Sequence, residues 1–187
     1  SLRDDSHGAD DNGDGSATSP APADWGGIYF KAGSSGSLDY VWMGYGAGQP
    51  SGMLNIYTNA VTVDHSTFYA GENRGIYVEN SSPTIRNSRF EANGWDGIFY
   101  EGYDATVPVA VTGCTFVDNV NWAVMAYLSE EQVGVTLTGN TATGSSLNGF
   151  GLRGTITGTV TYDASGDLPF VIEDDVTVRN GASLTFT

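Results

Sequence analysis

The chain has 187 residues, 40% hydrophobic and 12% aromatic, which suffices for one buried core and is short for two domains. Its 22 acidic residues face Lys31 and six arginines, and a net charge of −15 excludes a nucleic-acid partner and an anionic membrane surface. One cysteine excludes an internal disulfide, and no apolar run approaches the ~20 residues that cross a bilayer, so membrane insertion is excluded too.

Residues 1–24 carry six aspartates against Arg3 and few large apolar groups. Within them, Asp10-x-Asn12-x-Asp14-Gly15 places oxygen ligands at alternate positions and closes on glycine, as a tight calcium loop requires. Ser16 offers a carbonyl, and Asp24, Asp4 or Asp5 is a source of further oxygens. The twelfth loop position, where an EF-hand has a bidentate glutamate, is Ala21. Two readings stand: a structural calcium site built from Asp10, Asn12, Asp14, Ser16 and Asp24, or a solvated acidic turn. Repulsion and chain entropy oppose ordering of this acidic segment without a cation. Calcium is expected to fold it over the edge of the main domain, 25–187.

From residue 25 onward no helical periodicity stands out. Short alternating runs rich in Val, Ile, Thr, Tyr and Phe are broken by Gly, Asn, Asp and Ser, an all-β pattern. In chain order, 27–30 (GIYF) fits a second strand, 38–45 a first strand, and 54–56 (LNI) a second again. Then 61–68 (VTVDHSTF) recurs as 83–90 (PTIRNSRF), 109–116 (VAVTGCTF) and 135–142 (VTLTGNTA), at offsets of 22, 26 and 26. A second strand keeps the same offsets: 75–78 (GIYV), 97–100 (GIFY), 123–126 (AVMA) and 149–152 (GFGL). After residue 154 the period weakens, although 155–161, 167–178 and 182–186 still read as strands.

Two strand positions sharing one set of offsets predict a solenoid, in which like residues stack ~4.8 Å apart. The predicted inward columns are Val63, Ile85, Val111, Leu137; Phe68, Phe90, Phe116, Ala142; and Ile76, Ile98, Val124, Phe150. Ser66, Ser88, Cys114 and Asn140 share a corner, where small polar side chains satisfy bent backbone. Cys114 therefore reads as a small packed residue, not a nucleophile. His65 shares a position with Asn87 and Gly113 and reads as a turn residue. The chain stops inside a strand, so an excised segment of a longer protein is expected, or a unit that stacks end to end on copies of itself.

The phrase 81–93 (SSPTIRNSRFEAN), followed by Asp96-Gly-Ile98, resembles the rungs of right-handed parallel β-helix proteins of the pectate-lyase-like superfamily. The opening DDNGDG of 10–15, running to DWGGI at 24–28, is similar to the start of such repeats in large secreted bacterial proteins. The resemblance covers about residues 24–160 and implies an all-β, right-handed parallel β-helix solenoid of about six to seven coils. It also implies an extracellular or cell-surface location. That superfamily mixes lyases, hydrolases, epimerases and non-catalytic fibres, so fold alone assigns no chemistry.

None of the superfamily's catalytic motifs maps onto this chain residue by residue. Arg86, Arg89 and Glu91 cluster on one rung with Asp64 one rung away. They form a candidate acid–base group, and equally an ordinary surface ion-pair network, which is the favoured reading. Outward threonine columns are interrupted by Arg86, Arg89 and Ala110, which argues against an ice-binding array. The outward column Tyr29, Asn55, Tyr77, Phe99, Met125, with Trp95, Tyr103, Trp122 and Tyr127 nearby in sequence, suits stacking on sugars. The same stripe also suits burial under a loop, a neighbouring domain or a second subunit, and 40–57 is a candidate cover. Tyr29, Tyr77, Phe99, Trp95 and Trp122 are its carbohydrate or interface candidates.

Two function classes follow. The first is a non-catalytic extracellular module, a rigid structural or adhesive repeat that contacts carbohydrate or another copy of itself. The second is a polysaccharide lyase or glycoside hydrolase working through Asp64, Arg86, Arg89 and Glu91.

Overall fold

A computed structural model describes residue 10 and residues 12–48, 51–103, 107–131, 133–162 and 168–187. Asp4 and Asp5 lie outside the described residues.

After an opening strand β1 (Ile28–Phe30), the chain winds through repeated three-strand coils. The first coil is β2 (Gly36–Asp39), β3 (Trp42–Gly44) and β4 (Gly52–Ile56). The second is β5 (Val61–Asp64), β6 (Thr67–Tyr69) and β7 (Arg74–Glu79). The third is β8 (Thr84–Arg86), β9 (Arg89–Glu91) and β10 (Ile98–Tyr103). The fourth is β11 (Val109–Thr112), β12 (Thr115–Val117) and β13 (Trp122–Glu131). The fifth is β14 (Val135–Thr138), β15 (Thr141–Thr143) and β16 (Leu147–Ile156). Strands β17 (Thr159–Tyr162), β18 (Phe170–Val178) and β19 (Ser183–Phe186) close the described chain. Every pairing is parallel. A long sheet runs β1-β4-β7-β10-β13-β16-β18, and two five-stranded sheets form the other walls.

Each eight-residue repeat read as one strand is two. The break has a backbone cause: Tyr40, His65, Asn87, Gly113 and Gly139 all adopt positive φ, between 43° and 68°, at the same step of successive coils. Asn and Gly tolerate this left-handed conformation, whereas Tyr and His pay for it. His65 is thus a turn residue, as its alignment with Asn87 and Gly113 indicates.

The inward columns are in register. Val63, Ile85, Val111 and Leu137 pair strand to strand, as do Ile76, Ile98, Val124 and Phe150. The Phe68 and Phe90 rings stack at 5.1 Å and those of Phe90 and Phe116 at 5.0 Å, all fully buried. At the first corner the Ser88 hydroxyl accepts from the Ser66 amide, and Asn140 Oδ1 accepts from the Cys114 amide. Burial there pushes the Cys114 thiol up to about 11, so it is not a ready nucleophile.

A second polar ladder runs along the other corner. Asn93 Oδ1 accepts from the Gly71 amide, Asn119 Oδ1 from the Asn93 amide, and the Ser145 hydroxyl from the Asn119 amide. These buried side chains supply the partners that bent backbone lacks.

Regularity ends at β16. Register shifts interrupt its pairing with β13 and with β18, and β17 pairs with β19 instead of extending the sheet that ends at β14. Val160 and Tyr162 are still buried, and a partly open cavity of about 210 Å³ is lined by Leu137, Thr138, Thr161, Tyr162 and Phe170. At the other end the acidic segment joins the first coil by its backbone: the Ala23 and Asp24 amides donate to the Gly46 and Tyr45 carbonyls.

Candidate functional site on the outer face of the long sheet

Strand alternation turns Tyr29, Asn55, Tyr77, Phe99 and Met125 outward, and the pairing puts them in one column. Two residues further on, Glu79, Glu101, Tyr127 and Arg153 form a second.

The first column is half open and half closed. Tyr29 is 41% exposed and Tyr77 is half-buried. Phe99 is only 7% exposed, and Trp122 lies over it and Met125 with 1% of its own surface exposed. Phe99 and Trp122 are therefore not free to stack on a sugar, a correction to the candidate set. The cover is the protein's own side chains. The described residues of the segment 40–57 form no lid, because β3 and β4 are built into the first coil. Asn55 is buried and exchanges hydrogen bonds with the Gly52 backbone, so it offers no sugar a contact.

Arg74, Asp96 and Trp122 occupy the same step of three coils. The Arg74 guanidinium lies 4.3 Å from the centroid of Phe99 and 4.8 Å from that of Trp95. Its Nε meets Asp96 Oδ2 at 3.2 Å, and both side chains are buried. Trp95 is 45% exposed on the outer side of this arginine.

The open half holds groups that the sequence reading passed over. The Tyr77 hydroxyl lies 2.9 Å from Glu79 Oε2 and 2.5 Å from Glu101 Oε2, within reach of both, and its one proton is donated to either. The Tyr103 hydroxyl donates to the other Glu101 oxygen. Burial, then the hydrogen bonds to both glutamates, pushes the Tyr77 hydroxyl far above its ordinary value. The Glu101 hydrogen bond does the same at Tyr103. These phenols stay protonated donors. Tyr57 packs against Tyr77 with centroids 6.1 Å apart, and Lys31 Nζ lies 3.9 Å from the Tyr57 centroid. The readable signal was a glutamate recurring at the offset of 22, each with an aromatic residue two places before it.

Asp64, Arg86, Arg89 and Glu91 fall into two ion pairs on two sheets. Arg86 Nε meets Asp64 Oδ2 at 2.6 Å across adjacent coils, and Arg89 Nε meets Glu91 Oε2 at 2.7 Å within one strand. Desolvation pushes the Asp64 carboxyl up, but hydrogen bonds from Asn87 and Arg86 and the Arg86 and His65 charges outweigh it and hold the group low. Arg89 is raised by its hydrogen bond to Glu91. A general acid needs the first shift reversed and a general base the second. Asp39, Asp64 and His65 bring ligating atoms within 4.8 Å of one another, yet Arg86 and Asn87 already occupy the Asp64 oxygens.

In the acidic loop, Asp10 Oδ1 and Asn12 Oδ1 both accept from the Asp14 amide, and Asp10 Oδ2 accepts from that of Gly15. Asp14 accepts from the Thr18 hydroxyl and the Ala17 amide. Gly13 and Gly15 have φ of 73° and 72°, which the turn requires. Asp24 accepts from the Ala21 amide, in a turn of its own.

Parallel coils with inward ladders and polar corners define a β-solenoid. The chain belongs to the right-handed β-helix family: the model of the right handed beta helix region matches residues 25–147, well over half of its length. No curated protein and no solved structure matches it.

Proposed function

We propose that this β-helix repeat domain is a rigid, non-catalytic extracellular module that contacts polysaccharide through the open half of the long sheet's outer face. The observation that carries the reading is the Tyr77 and Tyr103 hydroxyls on the Glu79 and Glu101 carboxylates, with Tyr57 packed on Tyr77 and the exposed Tyr29 beside Lys31. Rings of this kind stack on sugar faces, and carboxylates accept from sugar hydroxyls. Support for a non-catalytic role comes from the ion pairs of Asp64 and Arg89, whose shifts deepen the ionised states. Rigidity follows from coils each locked to their neighbours by ladder hydrogen bonds.

The test is a panel of neutral, basic and acidic oligosaccharides, followed for binding and for new reducing ends or unsaturated products. Binding without turnover is expected, weakened tenfold or more in Tyr77→Ala and in the exposed Tyr29→Ala. Turnover abolished by Arg86→Ala would overturn the reading in favour of the lyase or hydrolase.

Calcium belongs to the same proposal, as a structural ion held by Asp10, Asn12, Asp14 and the Ser16 carbonyl. Its support is the convergence of the Asp10 and Asn12 oxygens on one amide. A calcium ion takes six to eight oxygens, so water or Asp24 would complete its shell. Proteolysis within residues 10–24 is expected to slow several-fold when calcium replaces chelator. Equal cleavage rates in the two conditions rule the ion out.

A further inference from the structure

We infer that the open half of this face takes a protonated amine, presented by an amino-sugar polymer. The inference rests on the glycan-contact reading and names its ligand class. Glu79 and Glu101 stand opposite each other on adjacent coils, and one hydroxyl oxygen, that of Tyr77, lies within hydrogen-bond distance of both. Their oxygens are therefore within two hydrogen-bond lengths of each other. Like charges this close repel, and phenol donors reduce that repulsion without cancelling the charge.

Among the described residues, no cation neutralises either carboxylate. Arg74 pairs with Asp96, Arg86 with Asp64, Arg89 with Glu91, Arg153 with Glu173 and Arg179 with Glu130. Lys31, the chain's one lysine, lies over the Tyr57 and Tyr29 rings, 3.9 and 5.1 Å from their centroids. This ammonium on tyrosine faces is an internal example of the contact assigned to the ligand. A second ammonium placed between Tyr77 and Tyr103 would meet two carboxylates as well as rings.

Charge narrows the ligand further. A uronic acid polymer is repelled by both glutamates and by a surface of net charge −15. A neutral sugar can donate hydroxyls to these carboxylates, three of whose four oxygens are shared with the Tyr77 and Tyr103 hydroxyls, but gains nothing from their charge. A protonated amine gains from both charges. The rings run across four successive coils, about 14 Å at the usual strand spacing, which is longer than one sugar ring.

The experiment compares a glucosamine hexamer, its N-acetylated form, a neutral glucose hexamer and a galacturonate oligomer by calorimetry at pH 5.5. The glucosamine hexamer is expected to bind at least tenfold tighter than the others. Glu79→Gln with Glu101→Gln should cost tenfold or more of that affinity, with the far-ultraviolet circular dichroism and melting curve retained. Asp174→Asn with Asp175→Asn, exposed on the edge strand β18 of the same sheet, should change it less than twofold. Equal affinity for the acetylated or neutral oligomer overturns the amine inference and leaves the glycan reading standing. No binding by any oligomer overturns both. An equal loss in the two double variants would mean diffuse charge attraction and overturn the assignment to this site.

Discussion

Phe90→Ala is expected to destabilise the domain by about 3–5 kcal/mol, the range for truncating a fully buried aromatic side chain. The Phe90 ring is fully buried between two others, with interplanar angles of 4° to Phe68 and 13° to Phe116. A cavity costs less where its walls relax into it. Here the walls are rings on neighbouring coils, and those coils are held at fixed spacing by β6–β9 and β9–β12 pairing. The Asn119 side chain also donates to the Phe90 carbonyl, pinning the backbone. The void should stay open. Urea unfolding followed by circular dichroism checks this: the midpoint falls while the slope is retained, or two transitions separate if the coils on either side uncouple. Val120→Ala, at a position 59% exposed, is the control and should stay within about 0.5 kcal/mol of the parent. A Phe90→Ala cost below about 1 kcal/mol would contradict the ladder as the main source of stability.

The same ladder explains why so much of the fold was legible. Stacking like on like writes the tertiary contacts into the sequence as a period, and inward columns are apolar throughout, so Val63 to Leu137 and Phe68 to Phe116 announce themselves. The outer face carries no such constraint. Glu79 and Glu101 recur at the same offset as their inward neighbours, but two charged residues do not look like a ladder when Tyr57 and Tyr127 flank them in the same series. The asparagine corner was readable from Asn93 and Asn119 at 26 residues, yet Gly71 and Ser145 at its ends disguise the column. The fate of Phe99 and Trp122 was not readable at all. Phe99 counts as outward by alternation and Trp122 is only its neighbour in sequence, and their burial depends on a tryptophan folding back over the sheet and on Val171 from a strand that follows the broken repeat. Sequence proximity likewise joined Arg86, Arg89 and Glu91, which a left-handed turn at Asn87 distributes over two sheets.

Asp96→Ala is expected to cost about 3–5 kcal/mol, because it removes one partner of a buried ion pair and leaves the other behind. Asp96 Oδ1 also accepts from the Asn121 side chain and the Trp122 amide, so three donors lose an acceptor at once. Arg74 cannot swing to water without abandoning the Phe99 and Trp95 faces on which it lies. Asp96→Asn keeps an oxygen for Asn121 and Trp122 and should cost clearly less. The two variants also separate charge from hydrogen bonding through pH. Burial raises the Asp96 carboxyl above its ordinary value of 3.8, against the opposing pull of Arg74 and the three hydrogen bonds. The folded chain therefore holds this proton more tightly than the unfolded chain does. Stability from this carboxyl is fully present below pH 3.8 and is lost as the pH rises through its raised folded value. Measured as a difference from Asp96→Asn, which has no such proton, the parent's advantage should shrink between pH 4 and neutrality. A difference that instead grows over that range would mean the Arg74 attraction outweighs desolvation, and the carboxylate would then be a source of stability rather than a cost.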